Sequence, residues 1–340
     1  MNIEEIKAKL QTADYDFLRI NSKISDNLIL LGLGGSYAYG TNVASSDIDL
    51  RGVATNSKRN VLIGQDFEQV VDVQTDTTIY SFDKIIKLLC NCNPNTIEIL
   101  GLKPEHYLYV SPIGKQLLDN KTMFLSKAAV YSFGGYANAQ LRRLENKAAR
   151  QLSQSGQESY ILKSIEHAMV DYKQKYFEFP DDAIKLYIGK SNREEYETEI
   201  FMDLNLKAYP LRDYKGMWSE MNAIVKSYAK IGARNAKAIA KDKLGKHMMH
   251  LVRLYLMCFD ILEKQEIITY RENEHSLLMS IRNGEYLNES GEPTVEFYEM
   301  VDELEKRLDY DKDNTSLPDK VDVEKIHDFV ASVNESIVLK

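Results

Sequence analysis

Leu28-Ile29-Leu30-Leu31-Gly32-Leu33-Gly34-Gly35-Ser36-Tyr37-Ala38-Tyr39-Gly40-Thr41-Asn42 is followed almost at once by Ser45-Ser46-Asp47-Ile48-Asp49-Leu50-Arg51-Gly52-Val53. Leu28 to Leu33 is short, apolar and ends in glycines, the pattern of a buried strand entering a tight turn. Glycine lets backbone N–H groups approach an oxyanion, and a helix beginning near Ser36 would turn its positive end toward phosphate. Ser36 adds a hydroxyl. Asp47 and Asp49 lie two apart, so on a strand that contains Ile48 to Val53 both carboxylates leave one face and can share hard cations. A phosphate cradle beside paired carboxylates is the layout that two-metal phosphoryl transfer requires.

Working outward, Val70 to Tyr80 is dense in β-branched residues and predicts a third strand. Asp76 shares a face there with Thr78 and Tyr80 and is the choice for a third carboxylate; Asp72, of the same parity, is the alternative. Ser81 to Leu89 and Asn95 to Leu100 read as helices, and Tyr107 to Val110 as a strand. Asn93-Pro94-Asn95 is a turn in which Asn95 can cap the next helix, with Glu98 three residues later as in a capping box. Beyond about Lys121 apolar residues recur at helical spacing. The expected helices are Phe124 to Arg150, Glu158 to Phe177, Asp181 to Gly189, Arg193 to Asn205, Asp213 to Ile231, Ala236 to Gln265, Glu274 to Asn283, Val295 to Asp309 and Val323 to Val333. The fold class is therefore α+β: a small mixed sheet with helices over 1–120, then an all-helical domain over 121–340.

Three cysteines among 340 residues suggest neither a disulfide framework nor a zinc site, which fits a reducing cytoplasm. Residues 1–5 lack the basic and apolar stretches of a signal peptide, and no window approaches the roughly 18 apolar residues of a membrane span. A formal net charge of -8 argues against a surface that binds nucleic acid all over, while leaving room for a local basic groove.

Gly35-Ser36, ten intervening residues and Asp47-Ile48-Asp49-Leu50 together resemble the signature of the DNA polymerase beta superfamily. Further pieces, Asn93-Pro94-Asn95 with Glu98, Lys246-His247-Met248-Met249-His250-Leu251-Val252-Arg253 and Ile281-Arg282-Asn283-Gly284-Glu285-Tyr286, are similar to the RNA-ligase-associated predicted nucleotidyltransferases of bacteria and phages. The resemblance implies a polymerase-beta-like catalytic domain over 1–120 and a helical domain completing the nucleotide and acceptor cleft. It implies a Mg²⁺- or Mn²⁺-dependent enzyme that moves a nucleoside monophosphate from an NTP to a hydroxyl, an RNA end among the candidates, with pyrophosphate released. Asp47, Asp49 and Asp76 would be catalytic and metal-binding, and Gly35 and Ser36 would hold the triphosphate. The same core also serves nucleotide sensors without turnover and enzymes that nucleotidylate proteins or small molecules, and these alternatives stay open.

Lys246, His247, His250 and Arg253 crowd one side of a helix. In the family this segment is prominent, so Lys246, His250 and Arg253 are expected at the cleft, on phosphates or a base; packed histidines are the competing reading. Arg282 precedes a glycine helix stop, where C-terminal charge alone accounts for an arginine. Lys226, Lys230, Arg234, Lys237 and Lys241, and likewise Arg142, Arg143, Lys147 and Arg150, form basic patches that either follow a polynucleotide or are solvated faces. Tyr131, Phe133 and Tyr136 read as core, and Cys90 and Cys92 as packing residues.

Overall fold

A computed structural model describes residues 1–149, 158–159, 161–163, 165–166, 176, 182–192, 198–225, 241–289 and 291–339. Five strands form one sheet: β1 Leu28–Gly34, β2 Asp49–Ala54, β3 Gln69–Asp72, β4 Thr77–Ser81 and β5 Tyr107–Val110, in the order β3-β4-β2-β1-β5. β1 runs antiparallel to β2 and β5, β2 parallel to β4, and β3 antiparallel to β4. β1 is apolar along its length because both of its faces are covered: Leu30, Leu31 and Leu33 are all buried.

The expected single strand between Val70 and Tyr80 is a hairpin. Asp72 ends β3, and its Oδ2 accepts from the backbone N and the Oγ1 of Thr75, at 2.9 and 2.8 Å, folding the chain back. Asp76 follows with φ +44°, a left-handed conformation that aspartate tolerates better than most residues. The turn, invisible to a two-residue period, thus decides where both acids point. Ser81 then caps helix Phe82–Cys90 by accepting from Lys84 N at 3.1 Å. At the next helix, Pro94–Ile97, the cap is Asn93 rather than Asn95, and Glu98 is buried instead of closing a capping box.

The helical region contains helices Ala128–Ala149, Leu211–Val225, Lys241–Phe259, His275–Asn283, Val295–Asn314 and Val323–Leu339. A π-helical turn, Asp260–Lys264, extends the third of these. Two expected helices are strands: β6 Ile184–Lys190 and β7 Thr198–Leu204 pair as an antiparallel hairpin. Ile184, Leu186, Ile200 and Met202 alternate inward onto a core with Ile161, Met217 and Met221, so a period of two competed with the helical one and won. Most of the expected helix Glu158 to Phe177 and residues 226–240 lie outside the described residues. No helix among the described residues is long and apolar enough to cross a membrane.

Packing divides the chain into two compact units. One holds 1–140, 245–286 and 294–340; the other holds 141–244 and 287–293. The five-stranded sheet and helices Lys241–Phe259 and His275–Asn283 therefore share one unit almost entirely. A buried ion pair, Arg271 Nη1 to Asp260 Oδ2 at 2.5 Å, and the bond from Arg271 N to Tyr39 O, 3.1 Å, tie them together.

Candidate active site

β1 ends at Gly34, which pairs with Asp49 at the start of β2. Gly35 follows at φ +55° and opens the short helix Gly35–Tyr39, which Gly34 precedes with no capping side chain. A Cβ on Gly35 would lie 1.6 Å from Asp49 Oδ2. The glycine turn and the acidic strand, separate in sequence, are thus in contact: the Asp49 carboxylate occupies the space that the absent side chain leaves. Ser36, in the first turn of this helix, is 6% exposed. Gly40, at φ +76°, ends the helix against the ring of Tyr270.

Asp47 lies just outside β2. Asp47 is exposed, Ile48 buried and Asp49 half-buried. Asp76 meets Asp49 from the turn before β4. Arg51 holds it there, donating from Nη1 to Asp76 O at 2.7 Å and from Nη2 to Oδ1 at 3.3 Å. Burial, then the hydrogen bond and charge of Asp76, push the Asp49 carboxyl up to about 7, against the pull of Arg51 and Lys246. Asp76 is held below the usual carboxylate range, first by its hydrogen bond with Asp49. The two carboxyls therefore compete for one proton, which Asp49 holds more tightly than a free aspartate does. Two carboxylates forced to share a proton suit a hard dication, which replaces that proton. Among the described residues no group of three or more His, Cys, Asp and Glu side chains forms a ready-made cage, so Asp47 does not close on the pair as it stands.

Two expectations follow. Because Asp49 binds its proton more tightly folded than unfolded, the native state carries the extra proton between its ordinary pKa of 3.8 and about 7. Stability should fall as pH rises through that window and level off above it. Asp76, shifted the other way, loses its contribution only as pH falls below the ordinary carboxylate range. Thermal melts in chelator from about pH 5 to pH 8 should therefore decline for the wild type and run flatter for Asp49→Asn; parallel curves would deny the shared proton. The second expectation separates the two candidate acids. Asp76→Ala should abolish turnover, whereas Asp72→Ala should cost about 1 kcal/mol of turn stability and leave turnover within about threefold. Equal losses would return Asp72 to candidacy.

Lys246, exposed on helix Lys241–Phe259, lies close enough for its charge to act on both Asp49 and Asp76. His250, one turn on, is half-buried with its ring edge-on to Tyr39 at 5.9 Å, and burial with the neighbouring Arg253 and Lys246 charges holds it neutral. Arg253 departs from the expectation of a phosphate contact. It is 4% exposed, packed 3.6 Å from the centroid of the Tyr39 ring and bonded to Glu98, leaving its guanidinium committed inside the protein. Arg282 does more than stabilise a helix end: its Nη1 donates to Thr41 O at 2.6 Å, bracing the loop before Asp47. Tyr131 is 70% exposed, not core, while Phe133 is buried. Cys92 is buried, its thiol 3.3 Å from Phe124 O, as a packing residue should be. The side chains of Arg142, Arg143, Lys147, Arg150, Lys226, Lys230, Arg234, Lys237 and Lys241 lie outside the described residues.

Sequence reasoning missed Arg51 and Tyr39. Arg51 carried a legible signal: on β2 it shares the parity of Asp49, so a cation was due beside the acids. Tyr39 carried none, since its role depends on Glu98 and Arg253, distant in the chain.

A small mixed sheet, with a Gly-Ser turn leaving its first strand and an aspartate opening the next against that turn, defines a polymerase-beta-like nucleotidyltransferase domain. Residues 9–177 match the model of the RNA repair pathway DNA polymerase beta family. The match points to nucleotidyltransferase activity. The chain is also 21% identical over 325 residues to an uncharacterized 38.9 kDa protein of the nrdC-mobD intergenic region of Enterobacteria phage T4, covering 88% of this chain and 94% of the phage protein. No solved structure matches.

Proposed function

We propose that the chain transfers a nucleoside monophosphate from an NTP to a hydroxyl at an RNA end. The observation that carries this reading is the Asp49 carboxylate, seated against Gly35 and facing Asp76, which sets an acidic pair directly beside the glycine turn. Asp49 and Asp76, with Asp47 swinging in, would hold Mg²⁺ or Mn²⁺, which when bound offsets charge on the phosphates and on the attacking oxygen. The backbone N–H groups from Gly35 and Ser36 hold the triphosphate tail. Lys246 supplies a positive charge next to the pair, offsetting the anionic oxygens of the α-phosphate. Asp76, whose carboxyl is held low by Asp49 first and by Arg51 after it, accepts the hydrogen of the attacking hydroxyl and so aims its oxygen at the α-phosphorus. The new oxygen–phosphorus bond forms as the bond to the bridging oxygen breaks, and pyrophosphate leaves with that electron pair. RNA as the acceptor is supported by the family description alone.

The test is product analysis. NTP labelled at the α-phosphate is incubated with the protein, Mg²⁺ or Mn²⁺, and RNA bearing free 3′ hydroxyls, and the products are weighed by mass spectrometry. RNA heavier by one nucleotide residue is expected. Label on the protein or on a small molecule, with RNA unchanged, would replace RNA as the acceptor.

A further inference from the structure

Glu98 is 5% exposed, yet it binds two segments far away in the chain. Both of its carboxylate oxygens accept from the Tyr39 hydroxyl, at 3.0 and 2.9 Å, and Oε2 also accepts from Arg253 Nη1 at 3.3 Å. The Glu98 backbone carbonyl accepts from Thr269 Oγ1 at 2.6 Å. Tyr39 is held at its hydroxyl by Glu98 and at its ring face by the guanidinium of Arg253.

These contacts join two parts of the candidate site. Tyr39 is the last residue of the helix that Gly35 begins. Arg253 shares one face of helix Lys241–Phe259 with His250 and Lys246, the three standing at i+7, i+4 and i counted from Lys246. Seven residues span about 10 Å along a helix axis. Arg253 is thus the anchored end of a short lever whose other end carries the lysine beside Asp49 and Asp76.

Stability alone does not account for the arrangement. Burying a glutamate and an arginine costs solvation that an apolar pair of similar volume avoids, and such replacements are often neutral or stabilising. Arg253 Nε, moreover, is buried without a hydrogen-bond partner, so part of that cost is not recovered. What the ion pair supplies, and an apolar pair would not, is direction.

We infer that Glu98 is a positioning residue: through Tyr39 and Arg253 it locks the turn Gly35–Tyr39 to the helix bearing Lys246, and so holds that lysine at the carboxylate pair during turnover. The inference rests on the nucleotidyl-transfer reading for its catalytic consequence, but the lock itself can be measured without turnover.

The experiment is a double-mutant cycle on the full chain, read as pyrophosphate release with Mg²⁺, and joined to hydrogen exchange. Lys246→Ala alone should lower kcat by about 10²-fold, the scale of losing a preorganised charge-stabilising donor. Glu98→Leu/Arg253→Met should lose a similar factor while melting within a few degrees of the wild type. Adding Lys246→Ala to that background should cost less than about threefold more, because the lysine is already misplaced. Glu98→Gln, which keeps an acceptor for Tyr39, should lose less than the double variant; it also serves if the double variant does not fold. In Glu98→Gln, amide exchange should speed up together in residues 35–41 and 245–253 and nowhere else. Multiplying losses, or no loss on Lys246→Ala in the wild type, would overturn the inference, as would exchange that changes in only one of the two segments. A wild type silent with every NTP would remove the nucleotidyl-transfer reading instead, and coupled exchange would still establish the lock.

Discussion

Asp49→Asn is expected to abolish turnover while leaving the chain folded and, in metal-free buffer at pH 8, harder to melt. Asparagine has nearly the shape of aspartate, so it fits the space against Gly35, where a Cβ would be 1.6 Å from Asp49 Oδ2. What it lacks is charge. The wild-type carboxylate is ionised above about 7 in a half-buried site facing Asp76, and that costs stability which the amide does not incur. The same loss of charge would remove the proposed ligand for a dication. Turnover should fall by at least about 10³-fold, and stabilisation by NTP with Mg²⁺, about 2.7 kcal/mol at a hundredfold excess over Kd, should disappear. Thermal melts with and without NTP and Mg²⁺, alongside an activity assay, check all three parts. Activity within about tenfold of the wild type would take Asp49 out of the mechanism.

Gly35→Ala should be as damaging to activity, with a different signature. At φ +55° any Cβ is strained, by roughly 1–2 kcal/mol, and here the methyl would also strike Asp49 Oδ2 at 1.6 Å and Cγ at 2.7 Å. The carboxylate must leave or the turn must open; either way the acidic pair and the phosphate turn separate. Activity should drop by the same order as in Asp49→Asn, and the melting temperature should fall rather than rise. Gly64→Ala is the control. Gly64 has φ +65° with nothing within 4 Å of an added Cβ, so it isolates the strain: a small loss in melting temperature and unchanged turnover. Equal activity in Gly35→Ala and Gly64→Ala would mean that contact between Gly35 and Asp49 is unimportant.

Much of the site was readable because its physics is local. An apolar run ending in glycines reads as a buried strand and its turn, and so it is; the alternation expected of Asp47-Ile48-Asp49 applies only from Asp49, where β2 begins. Tyr107 to Val110 and the helix stop at Gly284 were likewise local signals and came out as read. Asp76 was chosen on a parity that does not exist, since it sits in a turn; it nevertheless meets Asp49, brought there by its left-handed φ and by Arg51. The β6–β7 hairpin escaped because Ile184, Leu186, Ile200 and Met202 satisfy both a strand and a helix pattern over so short a span, and only the core they pack on decides. Arg253 looked like a ligand for phosphate because charge is visible in a sequence and burial is not. Its partner Glu98 is 155 residues away, beyond any periodicity.

The most direct test of the account is pyrophosphate release from each of the four NTPs with Mg²⁺ or Mn²⁺, with and without RNA, for the wild type and for Asp47→Ala/Asp49→Ala. Release that requires the divalent cation and vanishes in the double variant, while that variant keeps its wild-type fold, is the predicted result. Release unaffected by loss of both aspartates, or no release from a wild type that binds NTP with the cation, would contradict it.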